Sequence, residues 1–262
     1  MIDKSILDAF AIQGEITRLS GGQQNSYRVG NYVVKFNDGD NRKYDYIANI
    51  LLSINNPQYR IAKPVKSIYG EYVREGYIVL NYEEGEHDVD NIAETLQLSK
   101  LLRQDLQNFD IEQLEQVDNQ WSYAMDILFR QRGFPEYVTE KHKLICTNLL
   151  RKMENYSGEL QIIHADLGGN VIFHNSLPPC VIDFSPNVAP PKLQEAIIVS
   201  DAIAWGSKTE EIFNLLDDFE SYRLFLKYAV LFRIITMACK KGVSNHEFDG
   251  EYNHYMKVWS LL

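Results

Sequence analysis

The sequence predicts an α+β fold, with a small strand-rich N-terminal part (residues 1–84) and a larger helical part (residues 85–262). Three observations predict it. Alternating runs rich in β-formers fill residues 12–36 and strand-like runs recur near 62–68 and 72–82, whereas apolar residues at helical spacing dominate after Gly85. Strands and helices are therefore segregated, which excludes an alternating parallel-sheet architecture. The third is a cluster of short apolar runs near residues 161–184, read as a small hairpin set into the helical part.

Taken in order, Ile16–Leu19, Ser26–Val29 and Tyr32–Phe36 read as strands. Gly21-Gly22 separates the first two, and Gly30-Asn31 is a two-residue hairpin signal. Tyr46, Ile47, Ile50, Leu51 and Ile54 recur at helical spacing. Strand-like runs follow near residues 62–68 and 72–82, with Gly70 between them. Beyond Gly85, helices are marked by Ile92, Leu96, Leu98, Leu102 and Leu106, by Trp121, Met125, Leu128 and Phe129, and by Val138, Ile145, Leu149 and Met153. The hairpin comprises Gln161–His164, Val171–Phe173 and Cys180–Phe184, with Pro178-Pro179 breaking the chain before the last run. From Leu193 the pattern is helical again.

A chain of 262 residues can bury a sizeable core, and 45% hydrophobic with 24% charged residues excludes disorder, collagen and coiled coil. The apolar stretch Tyr228–Cys239 contains Arg233 and is too short to span a bilayer, so it reads as a buried helix. A net charge of −10 argues against nucleic acid and anionic membrane as partners. Three cysteines without a CxxC pair suggest neither a disulfide framework nor structural zinc, and read as reduced thiols of a cytoplasmic protein. The start, Met1 to Ser5, does not read as a secretory signal. The histidines show no metal-ligand spacing, and no GxSxG elbow or Walker loop occurs.

The chemistry concentrates in His164-Ala165-Asp166-Leu167-Gly168-Gly169-Asn170, followed by Ile182-Asp183-Phe184-Ser185-Pro186. Strands bring Asp166, Asn170 and Asp183 to the end of one hairpin. Phosphoryl transfer uses this set: an aspartate accepts the proton of the attacking hydroxyl, while an asparagine and a second aspartate hold Mg²⁺ through hard oxygens.

These residues resemble the catalytic and metal loops of the aminoglycoside phosphotransferase-like kinases, which share the two-lobed protein-kinase-like fold. The resemblance spans roughly residues 16–206 and is strongest at 161–186. It is closest to an uncharacterised branch with a short catalytic loop and an "IDFSP" metal motif, and Arg60–Ser67 with Gly70 resembles that branch too. The resemblance implies an N-terminal nucleotide-binding lobe over 1–84 and a catalytic and substrate lobe over 85–262. It makes Asp166 the catalytic base and Asn170 and Asp183 the metal ligands. His164 takes the place of a structural loop histidine. Gly21 and Gly22 fall in the nucleotide-covering loop, Lys35 matches the phosphate-contacting lysine of the third strand, and Asp45 is the best positional match for its carboxylate partner. Asn81, Tyr82 and Glu83 fall at the adenine-binding hinge.

Two departures stand out: alanine replaces the usual glycine at Ala165, and Asp166 and Asn170 are one residue closer than usual. Gly168-Gly169 is expected to compensate by adopting conformations closed to other residues. Asp201 reads equally as a buried aspartate bracing the catalytic loop or as a charge at a helix N-terminus. The acids Glu83, Glu84, Glu86, Asp88 and Asp90 read as a solvated loop. The implied function is ATP- and Mg²⁺-dependent phosphorylation of a small-molecule hydroxyl. Acidic stretches at Glu210-Glu211 and Asp217–Glu220 favour an uncharged or cationic acceptor over an anionic one. The shortened loop keeps open an alternative, a nucleotide-binding pseudokinase without transfer activity.

Overall fold

Strand and helix are segregated along the chain, as the pattern of the sequence requires. The structure, a computed structural model, describes residues 2–19, 26–36, 41–114 and 118–262. The chain forms two units: one comprises Met1–His87 with Glu112–Glu115 and Val171–Asp183, and the other holds the rest.

The first unit is built on an antiparallel sheet of five strands in the order β1-β2-β3-β6-β5. Its members are β1 (Ile16–Arg18), β2 (Ser26–Val29), β3 (Tyr32–Phe36), β5 (Val73–Arg74) and β6 (Tyr77–Asn81). Alternation along the strands gives the sheet two apolar faces. Val29, Val34 and Val79 pack with Ile6, Ala9 and Phe10 of and beside α1 (Lys4–Ala9). Val73 and Ile78 pack with Tyr44 and Ala48 of α2 (Asn41–Ser53). The Gly30-Asn31 hairpin is present, with Val29 opposite Tyr32 and Gly30 at φ +58°.

Two strand expectations change. Residues 62–68 form no strand; Pro64 makes only an isolated bridge to Leu80, because proline has no N–H with which to extend a ladder. The 72–82 run breaks into β5 and β6 at Glu75-Gly76, both in the left-handed region with φ of 50° and 79°. The unit also holds a four-stranded sheet, β4-β10-β9-β7, made from β4 (Arg60–Ile61), β7 (Glu86–His87), β9 (Val171–Phe173) and β10 (Cys180–Val181).

In the second unit, β8 (Gln161–His164) pairs with β11 (Pro186–Ala189), a strand the sequence did not signal. The expected single hairpin is therefore distributed over two sheets: β9 and β10 pair with each other, and β8 does not join them. Around β8 and β11 stand α3 (Ile92–Leu106), α4 (Gln120–Phe129), α5 (Glu140–Leu150), α6 (Leu193–Ala204), α7 (Phe219–Ala238) and α8 (Asn245–Trp259). Asn119, Thr139, Asp218 and Ser244 cap the N-termini of α4, α5, α7 and α8 through their side chains, which satisfies amide groups that would otherwise lack partners. The centre of the unit is α7, whose Ala229, Val230, Leu231, Phe232, Ile234 and Ile235 are fully buried. No helix among the described residues is long and apolar enough to cross a membrane.

Candidate active site

The loop after β8 is held from both sides. The His164 N–H donates to Gln194 Oε1 at 2.7 Å, and Gln194 in turn donates to the Ser99 carbonyl at 2.9 Å. The buried His164 ring packs edge-on to Phe184, with centroids 5.4 Å apart, and its Nδ1 accepts the Asp166 N–H at 3.2 Å. The Ala165 N–H donates to the Ser185 carbonyl at 3.0 Å. Ala165 is not among the residues with positive φ, so its methyl introduces no backbone strain.

Asn170 closes the loop. Its N–H donates to the Leu167 carbonyl at 2.9 Å, and its side-chain amide donates to the Asp166 carbonyl at 2.7 Å and approaches Asp166 Oδ2 at 3.3 Å. The shorter spacing thus leaves Asn170 beside Asp166. The glycines do not achieve this by the unusual conformations expected of them: neither Gly168 nor Gly169 has positive φ. Both instead line a cavity, where the absence of side chains leaves room.

Asp166 Oδ1 accepts a hydrogen bond from Arg233 Nη2 at 2.8 Å. The same nitrogen reaches Asp201 Oδ2, and Arg233 Nε donates to Asp201 Oδ1 at 3.1 Å. Tyr255 donates its hydroxyl to Asp201 Oδ1 at 2.6 Å, and Trp205 Nε1 donates to the Tyr255 oxygen at 3.2 Å. Asp201 lies in the last turn of α6, so the helix-N-terminal reading fails and its role is to hold Arg233. Burial raises the Asp166 pKa, but the charge and hydrogen bond of Arg233, with help from His164 and Asn170, outweigh it and hold the carboxyl below its ordinary value. Burial also works against the Arg233 charge, yet Asp201 and Asp166 hold the guanidinium firmly protonated.

The sequence reading missed Arg233 as a site residue. Its signal was visible: it is the one charged residue between Tyr228 and Ala238, and a charge in a buried apolar run needs buried partners. The cavity beside this network has a volume of about 480 Å³ and is lined by Asp166, Gly169, Ile198, Asp201, Trp205 and Glu251, among others. Burial raises the Glu251 pKa, and of its charged neighbours Arg233 opposes the rise while Asp201 adds to it. Asp90 and Lys208, which also line the cavity, pair at 2.7 Å.

In the first unit, Lys35 lies opposite Ile78 on β6, which puts it on the sheet face that α2 covers. Its Nζ donates to Asp183 Oδ2 at 2.6 Å. The carboxylate that meets Lys35 is thus Asp183, the residue just after Val181-Ile182, and not Asp45, which is exposed on α2. Tyr44, also on α2, has its hydroxyl pKa raised by burial and by the charge of Asp183. At the end of β6, the Asn81 N–H donates to the Lys63 carbonyl and the Tyr82 N–H to the Asn31 carbonyl, both at 2.8 Å. Those two amides are committed within the unit. The Tyr82 ring carries Arg28 at 3.7 Å, and Glu83 is paired with Arg60 at 2.6 Å. Lys63 reaches the Leu51 and Ile54 carbonyls at the C-terminal end of α2, where a cation is favoured. Gly21 and Gly22 lie outside the described residues.

The amide oxygen of Asn170 and the carboxylate of Asp183 are hard donors of the kind Mg²⁺ takes, usually one or two protein oxygens completed by water and phosphate. Among the described residues, no group of three or more His, Cys, Asp or Glu could form an all-protein metal cage.

No protein-family model matches the sequence, and no curated protein is significantly similar to it. Solved structures are similar in fold. An aminoglycoside phosphotransferase, APH(4)-Ia, solved with ADP and hygromycin B, superposes with a TM-score of 0.60 at 14% identity, over 99% of this chain and 97% of that one. Amicoumacin kinase hAmiN, solved with AMP-PNP and Ca²⁺, gives 0.60 at 13% identity over 99% and 94%. Choline kinase LicA from Streptococcus pneumoniae gives 0.58 at 13% identity over 99% and 98%. At such identities the likeness establishes the fold alone: an α+β, protein-kinase-like fold that the chain shares over nearly its full length with small-molecule kinases.

Proposed function

We propose that the protein is an ATP- and Mg²⁺-dependent phosphotransferase that acts on a hydroxyl of a small molecule. The observation that carries this reading is the Asp166 carboxylate, ionised and fixed by Arg233 and Asn170 in the wall of a cavity of about 480 Å³. A carboxylate so held can orient an acceptor hydroxyl and take its proton. Transfer of a phosphoryl group needs this more than strong basicity, since positioning and charge neutralisation supply most of the catalysis.

In this reading residues 1–84 form the nucleotide-binding lobe and 85–262 the catalytic and substrate lobe. Lys35 holds phosphate oxygens, and Asn170 and Asp183 are the metal ligands. Bound Mg²⁺ would neutralise phosphate charge. The glycines at 21 and 22 would cover the phosphates, and main-chain groups between Asn81 and Glu83, other than the committed Asn81 and Tyr82 amides, would read adenine. Asp45 is at most a secondary partner of Lys35. The acceptor is an uncharged or cationic alcohol, because four carboxylates (Asp90, Asp166, Asp201 and Glu251) face the cavity against two cations, Lys208 and Arg233. Three buried free thiols, Cys146, Cys180 and Cys239, suit a reducing cytoplasm.

The test is ADP release from ATP and Mg²⁺ across a panel of amino alcohols, sugars, nucleosides and aminoglycosides, at low and high salt. Turnover of an acceptor that Asp166→Asn abolishes supports the reading. A second reading, a nucleotide-binding pseudokinase, is favoured by the Asn170 amide folded onto Asp166. It requires thermal stabilisation by ATP that grows with Mg²⁺ but no ADP release with any acceptor.

A further inference from the structure

Arg233 is the only charged residue in the apolar stretch from Tyr228 to Ala238, and its side chain is 12% exposed. Such a residue is costly unless its partners are fixed. Asp201 meets it along one edge, with one carboxylate oxygen at Nε and the other at Nη2, and Tyr255 donates to the same carboxylate. A forked contact of this kind sets the plane of the guanidinium as well as its position. The remaining direction of Nη2 points at Asp166 Oδ1. On the other side, the Asn170 amide faces Asp166 Oδ2. Both carboxylate oxygens therefore have a donor, and each retains lone-pair capacity for a hydroxyl.

We propose that Arg233, anchored by Asp201 and Tyr255, is the positioning residue of the reaction: it fixes the plane of the Asp166 carboxylate toward the cavity. This rests on the reading of Asp166 as the group that orients the acceptor. The proton balance is simple. The acceptor O–H bond breaks and its proton goes to Asp166; the acceptor oxygen bonds to the γ-phosphorus of ATP as the bond from that phosphorus to the β,γ-bridging oxygen breaks, and ADP leaves with that electron pair. Arg233 then faces one anion fewer, and Asp201 alone keeps it neutralised. A lysine cannot do the same work, because a single ammonium cannot fork onto Asp201 while reaching Asp166 in a set plane.

The test compares Arg233→Lys, Arg233→Ala and Asp166→Asn on the acceptor found active in the panel above. Arg233→Lys keeps the buried charge and should still fold, though with a lower Tm for the lost fork, and its kcat should fall about 10²-fold with the KM for ATP unchanged, as a misplaced catalytic group implies. Arg233 lines the cavity, so millimolar methylguanidinium should restore part of the kcat of Arg233→Ala. Wild-type kcat in a folded Arg233→Lys protein overturns the proposal. So does a loss confined to the KM for ATP. If Arg233→Ala does not fold, Arg233→Lys decides. Full turnover by Asp166→Asn, or no turnover by the wild type, is a distinct failure: it removes the functional reading, and the proposal falls with it.

Discussion

Two ion-paired centres of the molecule, one in each unit, differ in their exposure. Lys35 and Asp183 meet at 2.6 Å with side chains 31% and 45% exposed. Arg233 and Asp201 are 12% and 24% exposed and share a hydroxyl and a second carboxylate. Water and salt screen the first pair, which contributes about 0–1 kcal/mol and is readily exchanged for another anion or cation. The second is a buried network in which removing Arg233 leaves two carboxylates uncompensated. The chain therefore has a replaceable pair at the positions assigned to phosphate and metal, and a rigid one behind the position assigned to the base. That is the division a phosphotransferase needs, because its ligands change at every turnover and the orientation of its base does not.

The largest effect expected is on catalysis. Asp166→Asn keeps the shape but cannot take a proton, so phosphoryl transfer should fall by about 10²–10⁴-fold. ATP affinity, read by calorimetry, should stay the same. Next comes stability. Asp201→Ala leaves Arg233 with Asp166 as its carboxylate partner and strands the Tyr255 hydroxyl, and should cost about 3 kcal/mol, whereas Lys35→Ala should cost under about 1 kcal/mol. Urea denaturation of the two variants compares them directly. Equal costs would erase the distinction between the centres.

A smaller effect concerns ligand coupling in the exposed pair. Lys35→Ala should weaken ATP binding, and its effect should be non-additive with Asp183→Ala, its observed partner at 2.6 Å. Asp45→Ala should combine with Lys35→Ala nearly additively, since Asp45 is exposed on α2 and Lys35 meets Asp183 instead. Strong coupling to Asp45 would show that the pair rearranges when nucleotide binds.

The rigid unit also predicts a pH signature away from the base. Glu195 is fully buried; burial raises its pKa, and the Arg103 charge only partly opposes this. The native state then holds that proton at a pH where the unfolded chain has released it. Its contribution to stability is full below the ordinary glutamate pKa and is lost as pH rises through the higher native value. Glu195→Gln should remove this slope from the pH dependence of the urea midpoint. An unchanged slope would mean that Arg103 and Ser99 offset the burial completely.

Much of the fold was legible because local chemistry and packing agree. The Gly30-Asn31 hairpin, α3 and the buried α7 follow from turn residues and periodicity alone. The errors arise where distant partners decide. β11 is a four-residue strand that exists only because β8 lies beside it, and the Pro186 that opens it reads as a strand breaker. Asp166, Asn170 and Asp183 stand out in the sequence because residues of these types at this spacing are a set that phosphoryl transfer uses. The pairing of Lys35 with Asp183 does not, because 148 residues separate them. Arg233 was read only as an obstacle to a membrane span, although a lone buried charge is also a statement about hidden partners.

The finest distinction lies between two glycines. In the first unit Gly30 sits at φ +58°, and a Cβ there would meet the Gln13 carbonyl oxygen at 2.8 Å. Gly30→Ala should cost about 1–2 kcal/mol for the left-handed conformation, before any clash is counted. Gly169, in the loop after β8, has no positive φ, and a Cβ there would meet nothing within 4 Å. Gly169→Ala should therefore change stability by no more than about 0.5 kcal/mol. Its methyl would stand on the cavity wall, where it subtracts room from the acceptor rather than from the fold. The expected result is an unchanged Tm and an unchanged KM for ATP, with the acceptor KM raised most for the bulkiest members of the panel. A lowered Tm would show that the loop needs glycine for its backbone after all, and that the shortened spacing between Asp166 and Asn170 is held under strain.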